Sequence, residues 1–83
     1  MMFNIQWKED AIKELEKLER NLSSRIYKKI SSLKENFDSV DIKRLQNSDL
    51  FRLRIGDYRV LFEINKELIT ILKIGHRKNI YKK

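Results

Sequence analysis

Arg52, Arg54 and Arg59 flank the dipeptide Gly56-Asp57, and Arg77 follows His76 with Tyr81 four positions further on. Those residue types at those spacings suit one kind of chemistry. A guanidinium does not accept a proton, but its planar fork grips phosphate through two contacts and stabilises charge that develops there. No carboxylate pair, no Cys or Ser nucleophile beside a base, no glycine-rich phosphate loop and no metal-ligand spacing accompanies these residues. What remains is phosphate-centred chemistry with no metal and no other cofactor. RNA brings its own nucleophile, the 2′-hydroxyl, so a protein that cuts it has to position that group, neutralise the phosphorane and manage two protons. Tyr81 could take a proton if neighbouring arginines depress its phenol from about 10, or it could stack a base and splay the scissile step into line. His76 is the alternative acid or base.

Gly56-Asp57 reads as a two-residue hairpin turn, because glycine supplies the positive φ that such turns require. Counting outward from it pairs Ile55 with Tyr58, Arg54 with Arg59, Leu53 with Val60, Arg52 with Leu61 and Phe51 with Phe62. Side chains alternate between the faces of a sheet, so Phe51, Leu53, Ile55, Tyr58, Val60 and Phe62 share an apolar face while Arg52, Arg54 and Arg59 share the other. Arg54 and Arg59 then stand directly opposite each other, a like-charge pairing that destabilises by a fraction of a kcal/mol. A solvated strand face would tolerate it, but three forks on one rigid surface are better explained as a cradle for phosphate.

The elements that position these residues follow from periodicity. Phe3, Ile5 and Trp7 alternate with polar neighbours, the period of a half-buried strand. Ala11, Ile12, Leu15 and Leu18 then follow helical spacing, with Glu9 and Lys13, and Glu16 and Arg20, placed for i,i+4 pairing. Asn21 and the serines after it can break and restart the helix. Leu22, Ile26, Ile30 and Leu33, with Phe37 beyond, make a second amphipathic helix, and two helices joined by so few residues form an antiparallel hairpin. From Asp41 onward the apolar residues are β-branched or aromatic, and strands are expected near Ile42 to Leu45, Leu50 to Ile55, Tyr58 to Ile64 and Leu68 to Ile74. The last two carry apolar residues on both faces, as central strands do.

The 83 residues leave room for one small domain, residues 1–83, without a disulfide to help it, since there is no cysteine. Hydrophobic residues make up 41% of the chain, enough for a packed core rather than a disordered polypeptide. The net charge of +7 is unevenly placed: residues 1–41 carry eight basic and eight acidic side chains, whereas residues 42–83 carry eleven basic and four acidic. The surplus belongs to the half that holds the arginines, which points to an anionic partner, nucleic acid or acidic protein. The opening residues have neither a basic nor an apolar signal region, and no uncharged stretch is long enough to span a bilayer, so a soluble, cytoplasmic protein without membrane contact is expected.

Taken in order, Ile5-Gln6-Trp7 leading into Ala11-Ile12-Lys13-Glu14-Leu15-Glu16-Lys17-Leu18, then Phe51-Arg52-Leu53-Arg54-Ile55-Gly56-Asp57-Tyr58-Arg59-Val60-Leu61-Phe62, then Ile74-Gly75-His76-Arg77 and Tyr81, resemble the RelE/ParE superfamily of toxins from toxin-antitoxin systems, the RelE branch above all. The resemblance covers essentially the whole chain. It implies an α+β fold, with an N-terminal strand, a helical hairpin and a three-stranded antiparallel meander forming one sheet packed on the two helices. It further implies a toxin that cleaves mRNA on the ribosome, without metal, by 2′-hydroxyl attack on the adjacent phosphate. By position, Arg59 and Arg77 match the family's phosphate-stabilising arginines and Tyr81 its C-terminal tyrosine, while Arg52 and Arg54 stand where a well-studied member has lysines. Substrate binding is expected of Arg52, Arg54, Lys43, Arg44 and His76, although members vary at the His76 position. The partners so implied are the ribosome, mRNA and a small acidic, RelB-like antitoxin in a hetero-oligomer. Two other activities fit the same basic surface: a ParE-like poison of DNA gyrase, and a binding module without catalysis.

Overall fold

The structure is a computed structural model and describes residues 2–35, 41–46 and 48–80. In chain order its elements are β1 (Asn4–Trp7), α1 (Glu9–Glu16), α2 (Arg20–Ser31), a single 3-10 turn (Ser32–Lys34), β2 (Ile42–Arg44), β3 (Leu50–Ile55), β4 (Tyr58–Asn65) and β5 (Leu68–His76). The five strands form one mixed sheet in the order β1-β5-β4-β3-β2. Strand β1 runs parallel to β5, and the remaining neighbours are antiparallel. The meander therefore has four strands, not the three that the resemblance implies. The additional one is β2, paired through Ile42 with Leu53, Lys43 with Arg52 and Arg44 with Phe51.

One face of the sheet is covered by the helices. Ala11 from α1, Ile26 and Ile30 from α2 and Leu33 from the 3-10 turn form a single buried cluster with Leu53, Ile55, Val60, Phe62, Ile69, Ile71 and Ile74 of the strands. Removing that much aliphatic surface from water is the main force holding a chain of this size together. The stripe on α2 lies where its spacing predicts, whereas Phe37 falls outside the described residues. On α1 the stripe is narrower than expected. Ile12 is exposed, and Leu15 and Leu18 are only half-buried.

Two local departures have clear causes. The break between the helices falls at residues 17–19 rather than at Asn21, because the Glu19 carboxylate caps α2 by accepting from the backbone N–H groups of Asn21 and Leu22 at 3.1 and 3.3 Å. Glu16 and Arg20 thus sit on opposite sides of the break and do not form the expected i,i+4 pair, while Glu9 and Lys13 do, at 3.3 Å. In the sheet, Leu61 pairs with Lys73 and Phe62 with Ile71, so Leu72 is a bulge. The bulge turns Ile71 and Ile74 onto the same face, which reconciles an apolar run on β5 with a single core.

Candidate active site on the open face of the sheet

The hairpin of β3 and β4 has the counted register. Ile55 faces Tyr58, Arg54 faces Arg59, Leu53 faces Val60, Arg52 faces Leu61 and Phe51 faces Phe62. Gly56 has a φ of +57° and Asp57 does not share its positive sign, the pattern of a II′ turn. With the core on one side, alternation puts Arg52, Arg54 and Arg59 on the face that no helix covers. Neighbouring strands complete two rows across that face. The first runs Lys43, Arg52, Leu61, Lys73, and the second runs Arg54, Arg59, Gly75.

Each arginine is held differently. Asp41 supplies the nearest carboxylate, with Oδ1 3.2 Å from Arg52 Nη2 and Oδ2 4.0 Å from Arg54 Nη1. The Arg52 side chain is only 20% exposed and its Nε is buried with no hydrogen-bond partner among the described residues. Arg59 folds toward the turn, where its Nη1 donates to the Gly56 carbonyl at 2.8 Å and the Tyr58 carbonyl at 3.0 Å. It forms no ion pair among the described residues, so its charge is not neutralised locally. Arg77 continues the ladder past the end of β5, its backbone N–H donating to the Asp57 carbonyl at 2.8 Å. Its Nε lies 3.7 Å from Asp57 Oδ1, with both side chains largely exposed, a contact worth at most about 1 kcal/mol and weakened by salt.

The turn after β5 closes back on the strand. Asn79 and Ile80 N–H groups both donate to the His76 carbonyl, at 2.8 and 2.9 Å. A Cβ on Gly75 would sit 3.0 Å from Ile80 Cδ1, so the absence of a side chain at Gly75 is what seats Ile80 against the strand. Ile80 and Leu61 are both buried yet stand apart from the main core cluster.

Five expected site residues are thereby brought together: Lys43, Arg52, Arg54 and Arg59 on the face and Arg77 at its rim. Two are not. Arg44 pairs with Phe51 and so belongs to the helix side, where its Nε donates to the Ser48 carbonyl at 3.1 Å and its Nη2 lies 3.4 Å from Asp49 Oδ1, fastening the β2–β3 loop. His76 pairs with Tyr58, also on the helix side, with the two rings edge to face at 5.6 Å. Both miss the face for one reason, since each is one residue out of phase with the position of its strand that joins the basic rows, Lys43 on β2 and Gly75 on β5. Tyr81 lies outside the described residues. Lys73 and Asp41 went unmarked in the sequence, because their place in the rows depends on the register of β5 and β2, which no glycine turn announces.

The comparisons with known proteins agree with this architecture. The profile of a family described as the ParE toxin of the type II toxin-antitoxin system, parDE, matches residues 5–81. The chain belongs to that family. Among relatives, Toxin RelE3 of Methanocaldococcus jannaschii is 37% identical over 43 residues, 51% of this chain and 49% of its own length, so the matched stretch spans about half of that relative. A putative RelE-like toxin protein of Escherichia coli is 23% identical over 82 residues, 94% of this chain and 86% of the relative. The archaeal RelE-RelB complex of Pyrococcus horikoshii contains a chain that superposes on this ParE-family toxin with a TM-score of 0.80 at 26% identity, covering 95% of the toxin and 99% of that chain. The RelB-RelE antitoxin-toxin complex of Methanococcus jannaschii gives 0.78 at 26% identity, covering 93% and 95%. Within the RelE/ParE superfamily the similarity thus falls on the RelE branch.

Proposed function

We propose that this toxin is an endoribonuclease that cuts mRNA on the ribosome and so inhibits translation in the cytoplasm. The observation that carries the reading is the pairing of Arg54 with Arg59 on the open face, with Arg77 at the rim. Two arginines at one cross-strand position are tolerated most cheaply when an anion is shared between them, and a phosphodiester has the charge and the geometry for that. In this reading the 2′-oxygen attacks the adjacent phosphorus and gives up its proton to a base. The bond from phosphorus to the 5′-oxygen breaks, that oxygen takes a proton, and a 2′,3′-cyclic phosphate and a 5′-hydroxyl remain. The nucleophile belongs to the RNA, so no metal-bound water is called for. Arg59 and Arg77 hold the phosphate and stabilise its extra charge at the transition state. Tyr81 stacks on a base or takes the 2′ proton, and Lys43, Arg52 and Arg54 bind the neighbouring backbone.

A small acidic antitoxin is the expected partner, since structural neighbours are RelE-RelB and RelB-RelE complexes and the second half of this chain carries the whole positive surplus. The matching family is described by its ParE toxins, which favours one second reading, a poison of DNA gyrase with no chemistry of its own. Primer extension on mRNA after induction in cells, with plasmid supercoiling assayed in parallel, separates the two. New 5′ ends inside translated codons are expected, and their loss in Arg59→Ala and Arg77→Ala. Linearised or relaxed plasmid with intact message would replace the endonuclease by the gyrase poison.

A further inference from the structure

Four backbone amides follow strand β5 in the turn from Arg77 to Ile80, and three of them end on one residue. The Lys78 N–H donates to Nδ1 of His76 at 3.1 Å. The N–H groups of Asn79 and Ile80 donate to the His76 carbonyl, while that of Arg77 goes to the Asp57 carbonyl. An imidazole nitrogen that accepts an N–H carries no hydrogen, so the neutral ring bears its hydrogen on Nε2. The ring itself is half-buried and held at its edge by Tyr58, with the ring planes at 79°. Its position opposite Tyr58 puts it on the other side of the sheet from Arg59.

We propose that His76 is a positioning residue for Arg77, acting through Nδ1, and that it neither touches the RNA nor exchanges a proton with it. The Nδ1 acceptor fixes the turn in which the chain leaves the sheet, and that turn determines where the Arg77 guanidinium stands relative to Arg59 and where Ile80 is seated on Gly75. The inference rests on the reading of Arg77 as a phosphate-holding group. A side-chain acceptor that takes the N–H two residues ahead is the arrangement that Asn and Asp use in turns. Asn Oδ1 stands about as far from its backbone as His Nδ1 does, whereas Gln Oε1 stands about where Nε2 does. Asparagine therefore replaces the positioning function and glutamine replaces an Nε2 function.

The test compares full-length wild type with His76→Asn, His76→Gln and His76→Ala, each purified through its antitoxin complex and checked for folding by circular dichroism. Two readouts are taken: ribosome-dependent cleavage of a defined mRNA, and the NMR amide-exchange rate of Lys78 in the free toxin. The expected result is cleavage within about threefold of wild type for His76→Asn, and a drop of about tenfold or more for His76→Gln and His76→Ala, the scale of a misplaced charge-stabilising group. Lys78 exchange should stay slow in wild type and His76→Asn and accelerate in the other two. Retained cleavage in His76→Gln with loss in His76→Asn would overturn the proposal in favour of an Nε2 role, and equal loss in all three would overturn it as well. A wild type that cuts no RNA would remove the endonuclease reading, and the exchange rates would still decide whether Nδ1 holds the turn. Equal exchange in all four proteins would reject that.

Discussion

Arg59 and Arg54 are cross-strand partners, and among the described residues no carboxylate lies nearer to them than Asp41, whose approach to Arg54 is 4.0 Å. Activity and stability are therefore set against each other at this pair. Arg59→Gln should abolish cleavage by about 100-fold or more, yet leave stability to urea within about 0.5 kcal/mol, because relief of the like-charge pairing offsets the lost contacts to the turn carbonyls. Arg52 and Arg54 should separate in the opposite sense. Arg52 is mostly buried and its ion pair with Asp41 is short, so Arg52→Ala should lower unfolding free energy by about 1–2 kcal/mol, whereas Arg54→Ala, exposed, should change it by less than about 0.5. Denaturant titration of the two variants checks this. The three hairpin arginines were legible in the sequence because Gly56 fixes a turn and the turn fixes the count. Arg44 and His76 were misplaced because residue type alone carries no information about strand phase.

Elements were more legible than their boundaries. Alternation placed β1, helical period placed α1 and α2, and the β-branched and aromatic residues after Asp41 placed the other described strands, since each pattern reflects which side of an element must leave water. The helix break was read from Asn21, a strong capping type, but a carboxylate two residues earlier starts the helix sooner by accepting from the amides of Asn21 and Leu22. Glu19→Ala should consequently reduce stability by about 1 kcal/mol, while Asn21→Ala should be nearly neutral, as measured by thermal or urea unfolding. The bulge at Leu72 left no mark in the sequence, because β5 has apolar residues on both faces and no strict alternation whose change of phase could be read. At the end of β5, Gly75→Val should displace Ile80, whose Cα lies 3.5 Å from the position of an added Cβ. Loss of the Ile80 methyl environment in NMR spectra, with cleavage reduced and the rest of the core unchanged, is the expected outcome.

The molecule as a whole divides its labour between the two faces of one sheet: helices and a continuous core on one, guanidiniums and ammoniums on the other. The charge arithmetic anticipated this division, and the topology explains it, because every residue of the basic rows comes from the meander β2 to β5. Binding of single-stranded RNA should accordingly weaken linearly in the logarithm of salt concentration. The slope should fall by about 0.7 for Arg77→Ala or Arg59→Ala if each contributes one phosphate contact, measurable by fluorescence anisotropy across a salt series. Strand order has a different consequence, one of timing. Of the described strands β1 is synthesised before the rest, since synthesis runs from the N-terminus, and it finds its partner only in β5, Asn4 beside Leu68 and Trp7 beside Ile71. A nascent copy without β5 holds an unfinished sheet and, on the proposed reading of Arg77 as a phosphate-holding group, is not yet able to cut.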